Sequence, residues 1–304
     1  MIDFIGDIHG HLDRLEALLQ KLGYEKTSGV YRHPSRKALF LGDYVDRGPQ
    51  VREVLFLVRS MVEAGAARAL LGNHEFNLLA FWTFKPTGYL RKHTINKILM
   101  HAETLRSFQN KESEFADALK WLLGLPIYIE EPEFRAQHAG FDASLLEVLK
   151  KESVNAVQNE EILCRMISKE DPLFKPIECF LKGPEMILPK GLSYRDSEGV
   201  IRYRSRIRWW ENPKEKTAKS LLLMKNTDFE DFEVPKDIQK ADYYKETEKP
   251  VFFGHYWLEG LPQVLKHNVC CLDYSVATSK GNGKLVAYRF DGEQSLSNEK
   301  FVFV

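Results

Sequence analysis

Apolar and polar positions alternate along the first quarter of the chain in a repeating order. The run "IDFIGD" is a short apolar strand that ends in Gly6-Asp7. Leu12, Leu15, Leu18, Leu19 and Leu22 then recur at helical spacing, and Gly23 closes that stretch. "ALFLGD" repeats the strand, "VREVLFLVRSMVEAG" repeats the helix and its terminal glycine, and "ARALLGNHE" supplies a third strand. Strand, helix, strand, helix, strand predicts a mostly parallel sheet with helices on its faces.

Beyond Glu75 the spacing is helical to about Leu123, through "TINKILMHAETLRSF" and "SEFADALKWLLGL". "PIYIEE", "FRAQHAG", "PVFFGHY", "NVCCLDYSV" and "KLVAYRF" read as further strands. Between about Asp142 and Lys249 the chain becomes more charged and carries prolines at 172, 176, 184, 189, 213 and 235. That stretch is expected to be an insertion or cap on a single 1–304 domain rather than an independent fold.

Composition narrows the function classes. Lys plus Arg and Asp plus Glu both number 43, so no general field draws the chain to nucleic acid or to an anionic membrane. No apolar run is long enough to span a bilayer, and the start lacks a basic n-region and a long h-region. Cys164, Cys179, Cys270 and Cys271 match neither a zinc ribbon nor a disulfide framework. A cytoplasmic, reduced protein is expected, with no nucleic-acid or membrane partner.

Each early strand ends in glycine and a polar cluster: GDIHG, GDYVDRG, GNHE. In open α/β sheets the functional crevice lies beyond the carboxyl ends of the strands, so segments 30 or so residues apart converge there. The convergent side chains are Asp7, His9, Asp43, Asp46, Arg47, Asn73, His74, His138 and His255. Taken singly they read as turn residues, a helix cap, a surface cation and satisfied core histidines. Jointly, carboxylates, imidazoles and an amide oxygen form a ligand set for Mn²⁺, Fe²⁺ or Zn²⁺. There are enough ligands for two ions that share a carboxylate, an arrangement that activates water and polarises a phosphoryl group.

GDIHG, GDYVDRG and GNHE, followed by HAG and GHY, resemble the calcineurin-like metallophosphoesterases of the phosphoprotein phosphatase and bacterial diadenosine tetraphosphatase branches. The resemblance covers residues 5–75 tightly, resumes at "LPIYIEEPEFRAQHAGF" and again from "VFFGHY" to "LVAYRF". It implies a two-sheet β-sandwich flanked by helices and two divalent ions, manganese or iron with zinc also compatible. Asp7 and His9 would hold the first ion, Asp43 would bridge, and Asn73, His138 and His255 would complete the second. His74 would protonate the leaving oxygen, Asp46 would orient it, and Arg47 would grip the phosphate. A planar cationic fork and an acid titrating near neutrality suit these tasks on chemical grounds as well.

Other positions carry less. His11, His33, His93, His101 and His267 match no motif, and His11 is expected as a polar position on the first helix. Adjacent Cys270 and Cys271 alternate faces of a strand and read as small apolar residues. In "IRYRSRIRWWENP", arginine alternates with apolar residues. Either Arg206 or Arg208 is a candidate second phosphate clamp, set against the plainer expectation of an exposed strand with a basic face. "WWENP" is loosely similar to a Trp-x-Asp-Pro element of protein phosphatases, with Asn212 where the acid would stand.

The expected activity is hydrolysis of phosphomonoesters by direct attack of activated water, since no cysteine or serine is placed as a nucleophile. "DRGP" and "GNHE" resemble the protein phosphatases, which implies phosphoserine and phosphothreonine proteins as the favoured substrates. Dinucleoside polyphosphates such as diadenosine tetraphosphate are the runner-up, also implied by the resemblance. A catalytically inactive metal-binding interaction module is the alternative of another class. Asp46 and His74 together argue against it. Oligomeric state does not follow from the sequence.

Overall fold

A computed structural model describes residues 1–195, 201–223, 229–278 and 281–304. The four helical stretches named between residues 12 and 123 appear as α1 (Leu12–Lys21), α2 (Val51–Glu63), the pair α4 (Ile95–Met100) and α5 (Ala102–Ser107), and α6 (Glu112–Leu123). The third strand stops at Ala69, α3 (Asn73–Trp82) begins within GNHE, and Phe84–Lys85 pairs with Gly88–Tyr89 as a hairpin where helix was expected. One expected helix is broken: "TINKILMHAETLRSF" turns at His101, between α4 and α5. Beyond them, among the described residues, come α7 (Ala143–Lys151), α8 (Glu160–Ile167), α9 (Phe174–Lys182) and the short α10 (Ala218–Leu221) and α11 (Lys236–Gln239).

Two sheets organise the strands. In the larger, Asp273–Tyr274, Lys284–Phe290, Ile2–Ile5, Lys37–Phe40 and Ala67–Ala69 lie side by side, and Phe301–Phe303 also pairs with Lys284–Phe290. Ile2–Ile5, Lys37–Phe40 and Ala67–Ala69 are parallel, with Ile5 opposite Phe40 and Phe40 opposite Ala69, so their carboxyl ends emerge at one edge. The smaller sheet is Val269–Cys271, Val251–Phe253, Arg135–Gln137 and Tyr128–Glu130. Its three strands Val269–Cys271, Val251–Phe253 and Arg135–Gln137 are again parallel, so His138 and Gly254-His255 leave at one edge too.

The period-two alternation decides which side chains face which layer. Phe4, Leu39, Phe252, Cys270, Val286 and Tyr288 form the core between the sheets, with Phe4 and Phe252 stacked at 3.7 Å. Ile5, Phe40 and Ala287 face α1 and α2 on the outer side. Val251, Phe253 and Cys271 face away from the first sheet, against Trp209, Trp210 and Tyr244. Cys270 and Cys271 therefore enter different cores as small apolar residues, and all four cysteines are free thiols.

Between 142 and 249 the chain behaves in two ways. Leu146, Leu149, Leu163, Met166, Ile177 and Phe180 of α7, α8 and α9 belong to the main core. Met186, Leu188, Ile207, Leu221, Leu222 and Val234 form a separate small core of their own. Trp209 and Trp210 lock that unit to the smaller sheet through tilted ring contacts with Phe253 at 5.0 and 5.5 Å. The tryptophans of "WWENP" are thus packing residues, while Asn212 caps a surface turn toward Glu215.

Candidate active site

The loops after the strands are sewn together by backbone before any side chain is considered. Ile8 and His9 both donate N–H to the Asp43 carbonyl, at 3.0 and 2.8 Å, and Gly48 donates to His9 O at 2.9 Å. Glu75 of GNHE is wholly buried and accepts from the N–H groups of Asp43, Tyr44, Val45 and Gly72, at 2.8–3.0 Å. One carboxylate thus clamps the second loop to the start of α3. Gly72 is obligatory there, because a Cβ would lie 2.3 Å from both the amide nitrogen and Oδ1 of Asp43.

The backbone here is held in unusual conformations. Among the described residues, six of the eleven non-glycine positions with positive φ belong to this region: His9, Asp43, Asp46, Arg47, His255 and Trp257. Left-handed φ costs roughly 1–2 kcal/mol per non-glycine residue, and such strain clusters where geometry serves function.

Asp43 is the hub. Its Oδ2 lies 3.5 Å from His9 Nε2 and 4.0 Å from His74 Nε2, and its Oδ1 lies 3.4 Å from His138 Nε2. Two groups of ligand atoms share it, His9–Asp43–His74 and Asp43–His138–His255, each within 4.8 Å. Asn73 joins the second, its Oδ1 2.9 Å from His138 Nε2. Asp7 sits beneath the last loop, where its carboxylate accepts the His255 N–H at 3.1 and 3.2 Å.

Whether this set suits cations can be judged from the imidazoles. His9 donates Nδ1–H to Val45 O at 2.9 Å and His138 donates Nδ1–H to Leu41 O at 2.7 Å, which fixes both tautomers and turns both Nε2 atoms inward. His9 Nε2 and His255 Nε2 are buried and have no hydrogen-bond partner among the described residues, an arrangement that a cation would satisfy. Burial, helped by the His74 charge, lowers His9 to about 3, and burial with Arg206 also pushes His255 well below its usual value. Both rings are therefore neutral, as ligands must be. Burial lowers His138 too, but the charge of Asp43 outweighs it and raises the ring to about 10. A cation entering there has to displace a proton.

His74 is set apart from the other imidazoles. Its Nδ1 lies 2.6 Å from Asp46 Oδ2, so that nitrogen donates to a buried carboxylate while Nε2 faces the Asp43 hub. Burial lowers His74, yet Asp43 and then Asp46 outweigh it and hold the ring above its ordinary value, which favours the protonated form. Arg47 lies with its guanidinium 4.4 Å from the Trp257 ring centre, and its charge acts on both His9 and His74.

The N-terminal 165 residues match the calcineurin-like phosphoesterase family over positions 1–165. The chain belongs to that family. It is 35% identical over 144 residues to the asymmetrical bis(5'-nucleosyl)-tetraphosphatase PrpE of Bacillus subtilis strain 168, covering 46% of this chain and 58% of that protein. The PrpE of Oceanobacillus iheyensis is 43% identical over 93 residues, which is 30% of this chain and 36% of the relative. The matched parts thus span less than two thirds of these relatives. A serine/threonine phosphatase structure from Saccharomyces cerevisiae aligns with a TM-score of 0.52 at 14% identity, covering 100% of this chain and 78% of that one, a likeness of fold.

Not every candidate reaches this calcineurin-like site. Arg206 donates Nη1–H to His255 O at 3.0 Å and so braces the loop that carries His255. Arg208 does not join the cluster, because its guanidinium is spent on the Ser220 and Leu222 carbonyls within the 185–238 unit. The strand ends at Arg206 and the chain bridges to Leu222 at Ile207, so strand alternation no longer keeps 206 and 208 together.

Of the histidines without a motif, His33, His93 and His267 bond to backbone groups away from the site, and His11 sits immediately before α1 rather than on it. His101 is different, with Nδ1 3.0 Å from each oxygen of Asp46. Thr104 and Asp273 were also without a signal in the sequence. Thr104 Oγ1 bonds Asp46, and buried Asp273 accepts the Trp257 N–H at 2.7 Å. Neither stands beside a glycine at a recognised motif; "CCLD" at a strand end is the nearest cue for Asp273.

Proposed function

We propose that this calcineurin-like phosphoesterase hydrolyses phosphate bonds with two divalent cations, held by Asp7, His9 and Asp43 on one side and by Asp43, Asn73, His138 and His255 on the other. The observation that carries the reading is that Asp43 is shared by the groups His9–Asp43–His74 and Asp43–His138–His255, with His9 Nε2 and His255 Nε2 facing inward and lacking a hydrogen-bond partner among the described residues. Asp7 lies outside both groups and is assigned to the first ion by the motif resemblance. When bound, the two ions would neutralise the phosphoryl oxygens and activate water for in-line attack. Arg47 supplies a planar donor fork for the same oxygens. His74, whose Nδ1 donates to the buried Asp46 carboxylate, is placed to give a proton from Nε2 to the departing oxygen. Arg206 braces the His255 loop through Nη1, and its charge acts on the His255 ring, so it stays the candidate second clamp at the edge of the site.

For the substrate, we rank the two classes expected from sequence in the opposite order. The leading class is bis(5'-nucleosyl) tetraphosphates, supported by the names of the Bacillus and Oceanobacillus relatives. Phosphoserine and phosphothreonine esters are the second class, favoured by the buried His74–Asp46 pair. An alkoxide needs a proton to leave far more than a phosphate does. The test is a substrate panel on manganese- or iron-reconstituted protein, comparing diadenosine tetraphosphate with a phosphoserine peptide. A kcat/KM at least tenfold higher for the dinucleotide supports the first class, and the reverse ratio the second. Turnover of neither, with two ions bound, would remove the enzymatic reading and leave an interaction module.

A further inference from the structure

Asp46 has more partners than orienting one imidazole requires. His74 takes Oδ2 at 2.6 Å, His101 Nδ1 lies 3.0 Å from both oxygens, and Thr104 Oγ1 donates to Oδ1 at 2.5 Å while accepting the Asp46 N–H at 2.9 Å. We propose that His101 is a positioning residue for His74: it locks the Asp46 carboxylate in the one orientation that keeps the His74 proton directed at the leaving oxygen. The inference rests on the reading of His74 as proton donor given above.

The geometry explains how the lock works. A carboxylate can rotate about its Cβ–Cγ bond, and Asp46 is wholly buried, so its orientation is set by the donors packed around it. Thr104 fixes one oxygen only. The His101 N–H straddles both oxygens and so resists rotation that a single donor permits. His101 is only 1% exposed, and its ring lies 5.0 Å from that of Phe81 on α3, the helix that also carries His74. Donor and acid are therefore both referenced to α3. The break between α4 and α5 falls at His101 itself, which lets the ring turn inward and brings Thr104 to the same carboxylate.

A residue that acts only through structure would depress every substrate alike, whereas one that maintains proton donation acts according to the leaving group. The experiment uses the metal-loaded full chain and a series of substituted phenyl phosphates, from p-nitrophenyl to phenyl. His101→Leu removes the donor, and His101→Asn places an amide N–H where Nδ1 stands. Metal content and melting temperature are measured on each variant.

Wild type should show a shallow dependence of kcat on leaving-group basicity, and His74→Asn a steep one. His101→Leu should lose on the order of tenfold or more on phenyl phosphate, with its basic leaving group of pKa about 10, and under about twofold on the nitrophenyl ester. KM should stay within about twofold, and His101→Asn should recover most of the loss. A uniform loss across the series that His101→Asn does not repair, or no loss at all, overturns the proposal. If His101→Leu does not fold, His101→Gln and Thr104→Val are read on the same series, and a wild-type slope in both overturns it. A steep slope already in wild type would instead count against His74 as proton donor, which separates failure of that reading from failure of the role given to His101.

Discussion

Gly254→Ala tests the site through packing alone. Gly254 ends the strand Val251–Phe253 and precedes His255. A Cβ built there lies 2.0 Å from Asp7 Oδ1 and 3.2 Å from its Cγ, where real contacts essentially never fall below 3.0 Å. The Asp7 carboxylate must therefore retreat by about 1 Å, which strains its bonds to the His255 N–H at 3.1 and 3.2 Å. Gly254 is not among the positive-φ glycines, so alanine meets no backbone penalty.

Overpacking of this kind costs ~1–3 kcal/mol. At roughly 2–4 °C per kcal/mol for chains approaching this size, the melting temperature should fall by only several degrees. A positioning error of an ångström, by contrast, costs on the order of a hundredfold in rate. The variant is therefore expected to melt cooperatively, to bind one ion weakly, and to lose about a hundredfold in kcat. Elemental analysis after dialysis, calorimetry and turnover of p-nitrophenyl phosphate measure the three quantities. Two ions at full occupancy and turnover within about threefold of wild type would refute both the clash and the ligand role of Asp7.

Three further outcomes follow from the same geometry. His74→Asn should keep both metal ions and lose roughly 10²–10⁴ in kcat on a poor-leaving-group ester, and undiminished turnover would remove His74 from the chemistry. Asp43→Asn should weaken both ions together, since Asp43 alone is common to the two ligand groups, and elemental analysis finding two tightly held ions would contradict the bridging role. Hydrogen bonds from Lys300 and Arg36 lower Asp291 from 3.8 to about 2, so its contribution to stability is complete above pH 3.8 and is lost as pH falls through 2. With Asp291 side chain 39% exposed, that contribution is at most about 1 kcal/mol after screening. Wild type should therefore exceed Asp291→Asn in thermal stability at pH 6 and converge with it at the acid end. A constant gap between the two would refute the linkage.

What the sequence determined by itself was everything encoded by short-range pattern. Strand, glycine and polar cluster recur as GDIHG, GDYVDRG and GNHE because a chain leaving a parallel strand must turn at its carboxyl end, and the residues that do chemistry lie within a few positions of that turn. Cys270 and Cys271 could be assigned to opposite faces from strand periodicity, and they occupy different cores. Tertiary structure decided what depends on packing between distant segments. Arg206 and Arg208 share a face of an ideal strand, but the strand stops at Arg206, leaving one against His255 and the other on carbonyls of its own unit. His101 lies in a helical stretch, 55 residues from Asp46, with no glycine or strand end to mark it. Only the break between α4 and α5 turns its ring onto that carboxylate, because a buried charge gathers donors from wherever the fold can supply them.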